Sequence, residues 1–191
     1  MKPVYVEKTT RELSHFIFAI NDGGNGENKE LEFKEIDSIG AKAFQDVSNV
    51  KQVFFDEHLQ KIGKEAFKNC EDLEVFCCGE KAEEETKQVK GIKIANLETE
   101  NFIIESLSFS KCKNLHTVIF QNCKELIIEK DAFSGCSSLR TLVYLSEKID
   151  FTGNPFEDCP ENLTFVGKKE NSALERFARE NGYRYVDVEG N

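Results

Sequence analysis

Seven cysteines and three histidines are the side chains of this chain best suited to nucleophilic or metal chemistry. The histidines, His15, His58 and His116, share no short spacing, and neither H-E-x-x-H nor H-x-E occurs. No G-x-S-x-G elbow places a serine nucleophile for them. Four cysteines, Cys70, Cys112, Cys136 and Cys159, each lie three residues after a phenylalanine in similar wording, as in "EAFKNCEDL" and "DAFSGCSSL". A catalytic thiol needs one special environment with a base beside it, not the same environment four times. Buried cysteine behaves as a small hydrophobe, so packing is the expected role of these four. Cys77, Cys78 and Cys123 lie off that series. A zinc site from Cys70, Cys77 and Cys78 would lack both the usual spacing and a fourth ligand. No metal and no cofactor is expected, and no catalytic residue is assigned.

The elements that carry the cysteines are repeats. "IGAKAFQDVSNVKQVFF" (39–55), "IGKEAFKNCEDLEVFCC" (62–78), "IESLSFSKCKNLHTVIF" (104–120) and "IEKDAFSGCSSLRTLVY" (128–144) align, with a looser copy in "FTGNPFEDCPENLTFV" (151–166). Their anchors Phe44, Phe67, Phe109, Phe133 and Phe156 are 23, 42, 24 and 23 residues apart, so the longest interval holds one repeat plus about 19 extra residues. The L-x-x-V-x-F end of each copy alternates with period two, as a half-buried strand does. Ala-Phe-x-x-Cys is too short for an ordinary helix and predicts one turn with the small residue and the Phe inward. Ile39, Ile62, Ile104 and Ile128 suit a second short strand across the coil. No such coil buries its own apolar edges, so the coils must stack into a solenoid with a nearest-neighbour core.

The I-G-x-x-A-F-x-x-C-x-x-L phrase resembles the BspA-like leucine-rich repeat proteins of bacteria and some protists. The resemblance covers residues 36–188, with Val47 at a Cys position and Ser108 and Pro155 at Ala positions as departures. It implies a leucine-rich repeat solenoid, a right-handed coil of β-strands and short turns closed by a helix-plus-strand cap. It also implies adhesion or recognition of host and matrix proteins at the cell surface or after secretion.

Three regions are expected within one structural domain. Residues 1–35 form an N-terminal strand or hairpin cap, from "SHFIFAI" (14–20), the turn-like "NDGGNGEN" (21–28) and "LEFKEI" (31–36). Residues 36–166 form an array of about five to six repeats, interrupted by a charged insertion at 79–101 that reads as an acidic loop, then a strand or a degraded repeat. Residues 167–191 form the C-terminal cap: Ser172 and Glu175 make a capping box for a helix over 171–182, Gly182 ends it, and "YRYVDV" closes the sheet. The Gly-rich stretch lacks G-K-[S/T] and precedes a strand pattern, so it is not a phosphate loop. The insertion has no calcium-loop arrangement.

A formal net charge of −10 argues against nucleic-acid binding, which relies on clustered Lys and Arg. No apolar run reaches the roughly 20 residues of a membrane span, and no signal peptide is evident in "MKPVYVEKTTREL", which keeps a cytoplasmic location open. The outward position of each L-x-x-V-x-F strand carries Phe54, Cys77, Ile119 and Val143, with Val166 or Thr164 in the fifth copy. Such a stripe should normally be polar. It is expected to be exposed on the concave sheet and to bind a protein or other macromolecule without catalysis. The chain is expected to be a monomer or weakly self-associating, and the alternatives are a scaffold that self-associates through the stripe and more remotely a hydrolase or thiol enzyme on the same scaffold.

Overall fold

A computed structural model describes residues 4–5, 12–13, 29–79, 99–121, 123–146, 148–169 and 172–188. The chain alternates between two parallel sheets. One contains β1 (Val4–Tyr5), β3 (Lys29–Phe33), β5 (Val50–Phe55), β7 (Val75–Cys78), β9 (Thr117–Phe120), β11 (Thr141–Tyr144), β13 (Thr164–Gly167) and β14 (Arg184–Asp187), in that order. The other contains β2 (Glu12–Leu13), β4 (Ser38–Ile39), β6 (Lys61–Ile62), β8 (Thr99–Ile104), β10 (Cys123–Glu129) and β12 (Lys148–Thr152). Each coil therefore contributes one strand to each sheet, and Ile39, Ile62, Ile104 and Ile128 are all buried in the second. The sequence had placed them there.

The Ala-Phe-x-x-Cys corner is a chain of turns whose regularity comes from its neighbours. Phe44, Phe67, Phe109 and Phe133 amides donate to the carbonyls of Ala66, Ser108, Ala132 and Pro155 on the next coil, at 2.7–2.9 Å. This requires left-handed backbone at paired positions, seen at Lys42 and Asp46, Glu65 and Asn69, Leu107 and Lys111, and Asp131 and Gly135. The Phe rings stack along the axis: Phe44–Phe67, Phe67–Phe109, Phe109–Phe133 and Phe133–Phe156 lie 4.8, 5.1, 5.0 and 5.4 Å apart with interplanar angles of 3–8°. Coils meet closely enough that a Cβ at Gly63 would lie 2.7 Å from Ala41 N and 2.8 Å from Ile39 O, so glycine is required there. Ser108, which replaces the small Ala, is fully buried, and its hydroxyl donates to Gly63 O at 3.1 Å and also to Glu105 O.

The N-terminal hairpin does not appear among the described residues. β3 pairs parallel with both β1 and β5, and β2, lying between β1 and β3 in sequence, pairs parallel with β4 in the opposite sheet. The physical reason is connectivity: a chain that crosses to the far sheet before returning must come back parallel. The described strands β1 and β2 thus extend the two sheets in the same parallel sense. "SHFIFAI" (14–20) and "NDGGNGEN" (21–28) lie outside the described residues. So does "VKGIKIANL" (89–97) of the insertion. The described part of the insertion ends in β8, which pairs with β6 and β10, while β7 pairs directly with β9. Between β7 and β9 no described strand enters the first sheet.

The C-terminal cap has the expected form. α1 (Ser172–Glu180) buries Leu174 and Ala178, and Phe177 stacks on Phe151 of β12 at 3.8 Å. Gly182 has φ +75°, its amide donates to Arg179 O, and the Tyr183 amide reaches back to Ala178 O, which together form a Schellman motif. The Ser172 side chain, on which the capping-box expectation rests, lies outside the described residues.

Candidate binding face

The outward stripe is real as a column. Backbone register aligns Phe54 with Cys77, Cys77 with Ile119, Ile119 with Val143, Val143 with Val166 and Val166 with Val186. The same register puts Thr164 opposite Thr141, so the fifth copy places Val166, not Thr164, in the stripe. The extra residue of that copy is absorbed in the turn before the strand.

The expectation of exposure fails. Phe54 is 9% exposed, Cys77 2% and Val143 1%, and only Ile119 of the four is half-buried. Val143, Leu145 and Val166 form a second small core, against which Ile119, Val186 and Val188 pack. Large apolar residues in register seal one another from water, which strand alternation alone does not reveal. The surface that remains accessible on this face is the neighbouring column. Gln52, Val75, Thr117, Thr141 and Thr164 are half-buried and in register, and Arg184 is exposed. Lys51 and Glu74 pair at 2.7 Å along its margin. Val186, Val188 and Leu145 were missed as stripe members. Val186 lies in the "YRYVDV" strand, whose alternation could have revealed it.

The repeat cysteines are packed and hydrogen-bonded. Cys70 Sγ donates to Phe44 O at 2.9 Å, Cys112 Sγ to Phe67 O at 3.0 Å, Cys136 Sγ to Phe109 O at 3.0 Å and Cys159 Sγ to Phe133 O at 3.2 Å. Each thiol thus bonds the phenylalanine of the preceding coil. All seven cysteines are free. Burial pushes Cys77, Cys123 and Cys159 up to about 12 and raises Cys78 and Cys112 as well. These are protonated thiols at neutral pH, the opposite of an activated nucleophile. Of the two described histidines, His58 Nδ1 lies 3.2 Å from Asp56, and the exposed His116 bonds its neighbour Thr117 through Nδ1 at 2.9 Å. Neither hydrogen-bonds a serine or a thiol among the described residues. No helix among the described residues is long and apolar enough to cross a membrane.

Comparison with known proteins agrees with the repeat reading. The crystal structure of the pneumococcal vaccine antigen PcpA is similar at a TM-score of 0.47 and 17% identity, over 82% of this chain and 41% of that one. The chain thus spans less than half of that protein. The T. pallidum leucine-rich repeat protein TpLRR is similar at a TM-score of 0.32 and 15% identity, over 85% of this chain and 86% of that one. No curated protein matches the sequence. The family described as "BspA type Leucine rich repeat region" matches in 6 copies, over residues 5–88 and 37–164. With the match running through nearly all the coils, the chain belongs to the BspA-type leucine-rich repeat family.

Proposed function

We propose that the chain is a non-catalytic binding module, acting at the cell surface or after secretion, that recognises a protein or other macromolecule through the outer face of its eight-stranded sheet. The observation that carries this reading is the in-register column of Gln52, Val75, Thr117, Thr141 and Thr164, a half-buried strip crossing five strands. Beside it, Ile119 is the accessible member of the apolar stripe, while Phe54, Cys77 and Val143 serve as its floor. Family membership supports binding as the general role, and the surface location rests on the same membership. Self-association through the stripe gains little support, because Cys77 and Val143 have almost no area left to bury.

A photo-crosslinking residue at Thr141 tests the face, with one at Ile127 of the six-stranded sheet as the control. Presented to intact surface or matrix proteins, the Thr141 variant should crosslink a discrete partner and the Ile127 variant should not. Equal crosslinking from both positions, or from Ile127 alone, would refute the assignment of the face.

A further inference from the structure

The turn before β13 departs from those of the other coils. Two residues separate cysteine from leucine in Cys70–Leu73, Cys112–Leu115 and Cys136–Leu139, whereas Pro160, Glu161 and Asn162 separate Cys159 from Leu163. With the additional residue, Glu161 and Asn162 form an exposed turn at the margin of the eight-stranded sheet. Leu163 behind it is fully buried, and Thr164 opens β13 half-buried on the outer face. The backbone here is held to both neighbours: the Thr164 amide donates to Arg140 O at 2.8 Å, and Leu163 O accepts the Arg184 amide at 3.3 Å.

Asn162-Leu163-Thr164 has the form Asn-x-Thr with a residue other than proline between, which is the acceptor of N-linked oligosaccharide and requires a surface position. Of all the asparagines in the sequence, Asn162 alone meets that pattern. Its amide is also uncommitted. Asn69 Nδ2 donates to Asp46 at 2.7 Å, Asn154 Nδ2 to Glu157 at 2.8 Å and Asn181 Nδ2 to Phe177 O at 2.9 Å. No hydrogen bond among the described residues engages the Asn162 side chain. A bulky group on Asn162 Nδ2 thus meets water and breaks no contact, whereas one on the other three would break a bond of a coil or of the cap.

We infer that Asn162 is the acceptor of an N-linked oligosaccharide when the chain is exported, resting here on the surface or secreted location proposed above. In the transfer, Asn162 Nδ2 attacks the anomeric carbon of a polyprenyl-diphosphate-linked oligosaccharide. The new N–C bond forms as the sugar–oxygen bond to the diphosphate breaks, the polyprenyl diphosphate leaves, and one amide proton passes to the transferase. Nothing is oxidised or reduced. The Thr164 hydroxyl is the second group the transferase reads. Since Leu163 and Thr164 are tied to the flanking coils once folded, transfer belongs to the chain before β13 docks on β11. The finished coil then has only to leave the glycan room, which an exposed turn does.

The test expresses the full chain behind a cleavable secretion leader in a eukaryotic cell and reads intact and peptide masses. The chain should carry one oligosaccharide, and its release by a glycan-specific amidase should convert Asn162 to Asp. Asn162→Gln and Thr164→Ala should each lose the glycan entirely, while Thr164→Ser, which keeps the hydroxyl, should retain at least part of it. An unmodified chain, or a glycan that persists in Asn162→Gln, would overturn the assignment. Because transfer occurs on entry to the export route, the mass is read equally on chain retained in the cell, so a poorly folding variant does not obscure it. The leader imposes export, so an unmodified chain would sink the acceptor while leaving the proposed location standing. Fractionation of the cells that make the protein naturally tests that location separately.

Discussion

Two apolar columns run along this solenoid, and they obey different rules. At the corner, Phe44, Phe67, Phe109, Phe133 and Phe156 repeat without change, and the thiols of Cys70, Cys112, Cys136 and Cys159 hold the preceding coil. On the outer sheet face the residue changes from Phe54 through Cys77 and Ile119 to Val143, then stays Val at 166 and 186, and burial varies along it. A position whose shape and hydrogen bond are both dictated by the adjoining coil admits few residue types, Val47 being the one departure in the Cys column. A position that meets only its flanking neighbours admits any apolar side chain. Uniformity along a repeat therefore identifies packing, and variation identifies the face whose demands come from elsewhere.

This contrast is easiest to break at the corner. Phe109→Ala removes a ring stacked between Phe67 and Phe133 and should cost about 3–5 kcal/mol, read from the urea midpoint. Within the stripe, depth should decide the outcome. Val143→Asp buries a carboxylate and should destabilise by about 3 kcal/mol or more, whereas Ile119→Asp, half-buried, should cost about 1 kcal/mol. Equal losses in the two variants would mean that the stripe is uniformly sealed. Cys136→Ala should cost about 1–2 kcal/mol and leave any binding by the sheet face intact. Cys136→Ser, which keeps a donor for Phe109 O, should cost less than the alanine variant.

The smallest effect is electrostatic. Burial raises the Glu105 carboxyl, but hydrogen bonds from Lys61 at 2.6 Å and from the Lys64 amide at 2.8 Å outweigh it and leave the group below its ordinary 4.5. A lowered folded value means that the stabilisation is present above 4.5 and is lost as pH falls through the folded value. Glu105→Gln should thus cost about 0.5 kcal/mol at neutral pH, given solvent screening. The gap to the unaltered protein should close on acidification, as followed by thermal melts at a series of pH values.

The corner, the paired strands and the C-terminal cap were legible because their residues repeat or sit at capping positions: Phe109, Ile104 and Gly182 each have one physical use in such a coil. The N-terminal strands β1 and β2 were not legible. β2 is only two residues long and has no pattern to read, while "NDGGNGEN" has the composition of a hairpin turn. Alternation in "VKQVFF" and "TLVY" correctly set which residues face outward, since side-chain period is fixed by the pleat. It carries no information on what lies above that face, so Val143 was expected in water and lies in a second core.

The left-handed corners bear on how the chain folds. Glu65, Leu107 and Lys111 adopt φ near +60°, a conformation costing an ordinary side chain on the order of 1 kcal/mol in isolation. What offsets that cost is the set of amides and carbonyls on the adjoining coil, such as Glu65 N to Ser106 O and Lys111 N to Ser134 O. A single coil is thus locally unfavourable and becomes favourable only against a formed neighbour. Folding should begin where two coils meet with the fewest strained residues, then advance one coil at a time along the axis as each finished edge templates the next. The helix cap, by sealing the last edge, would then do as much to hold the array together as any one coil within it.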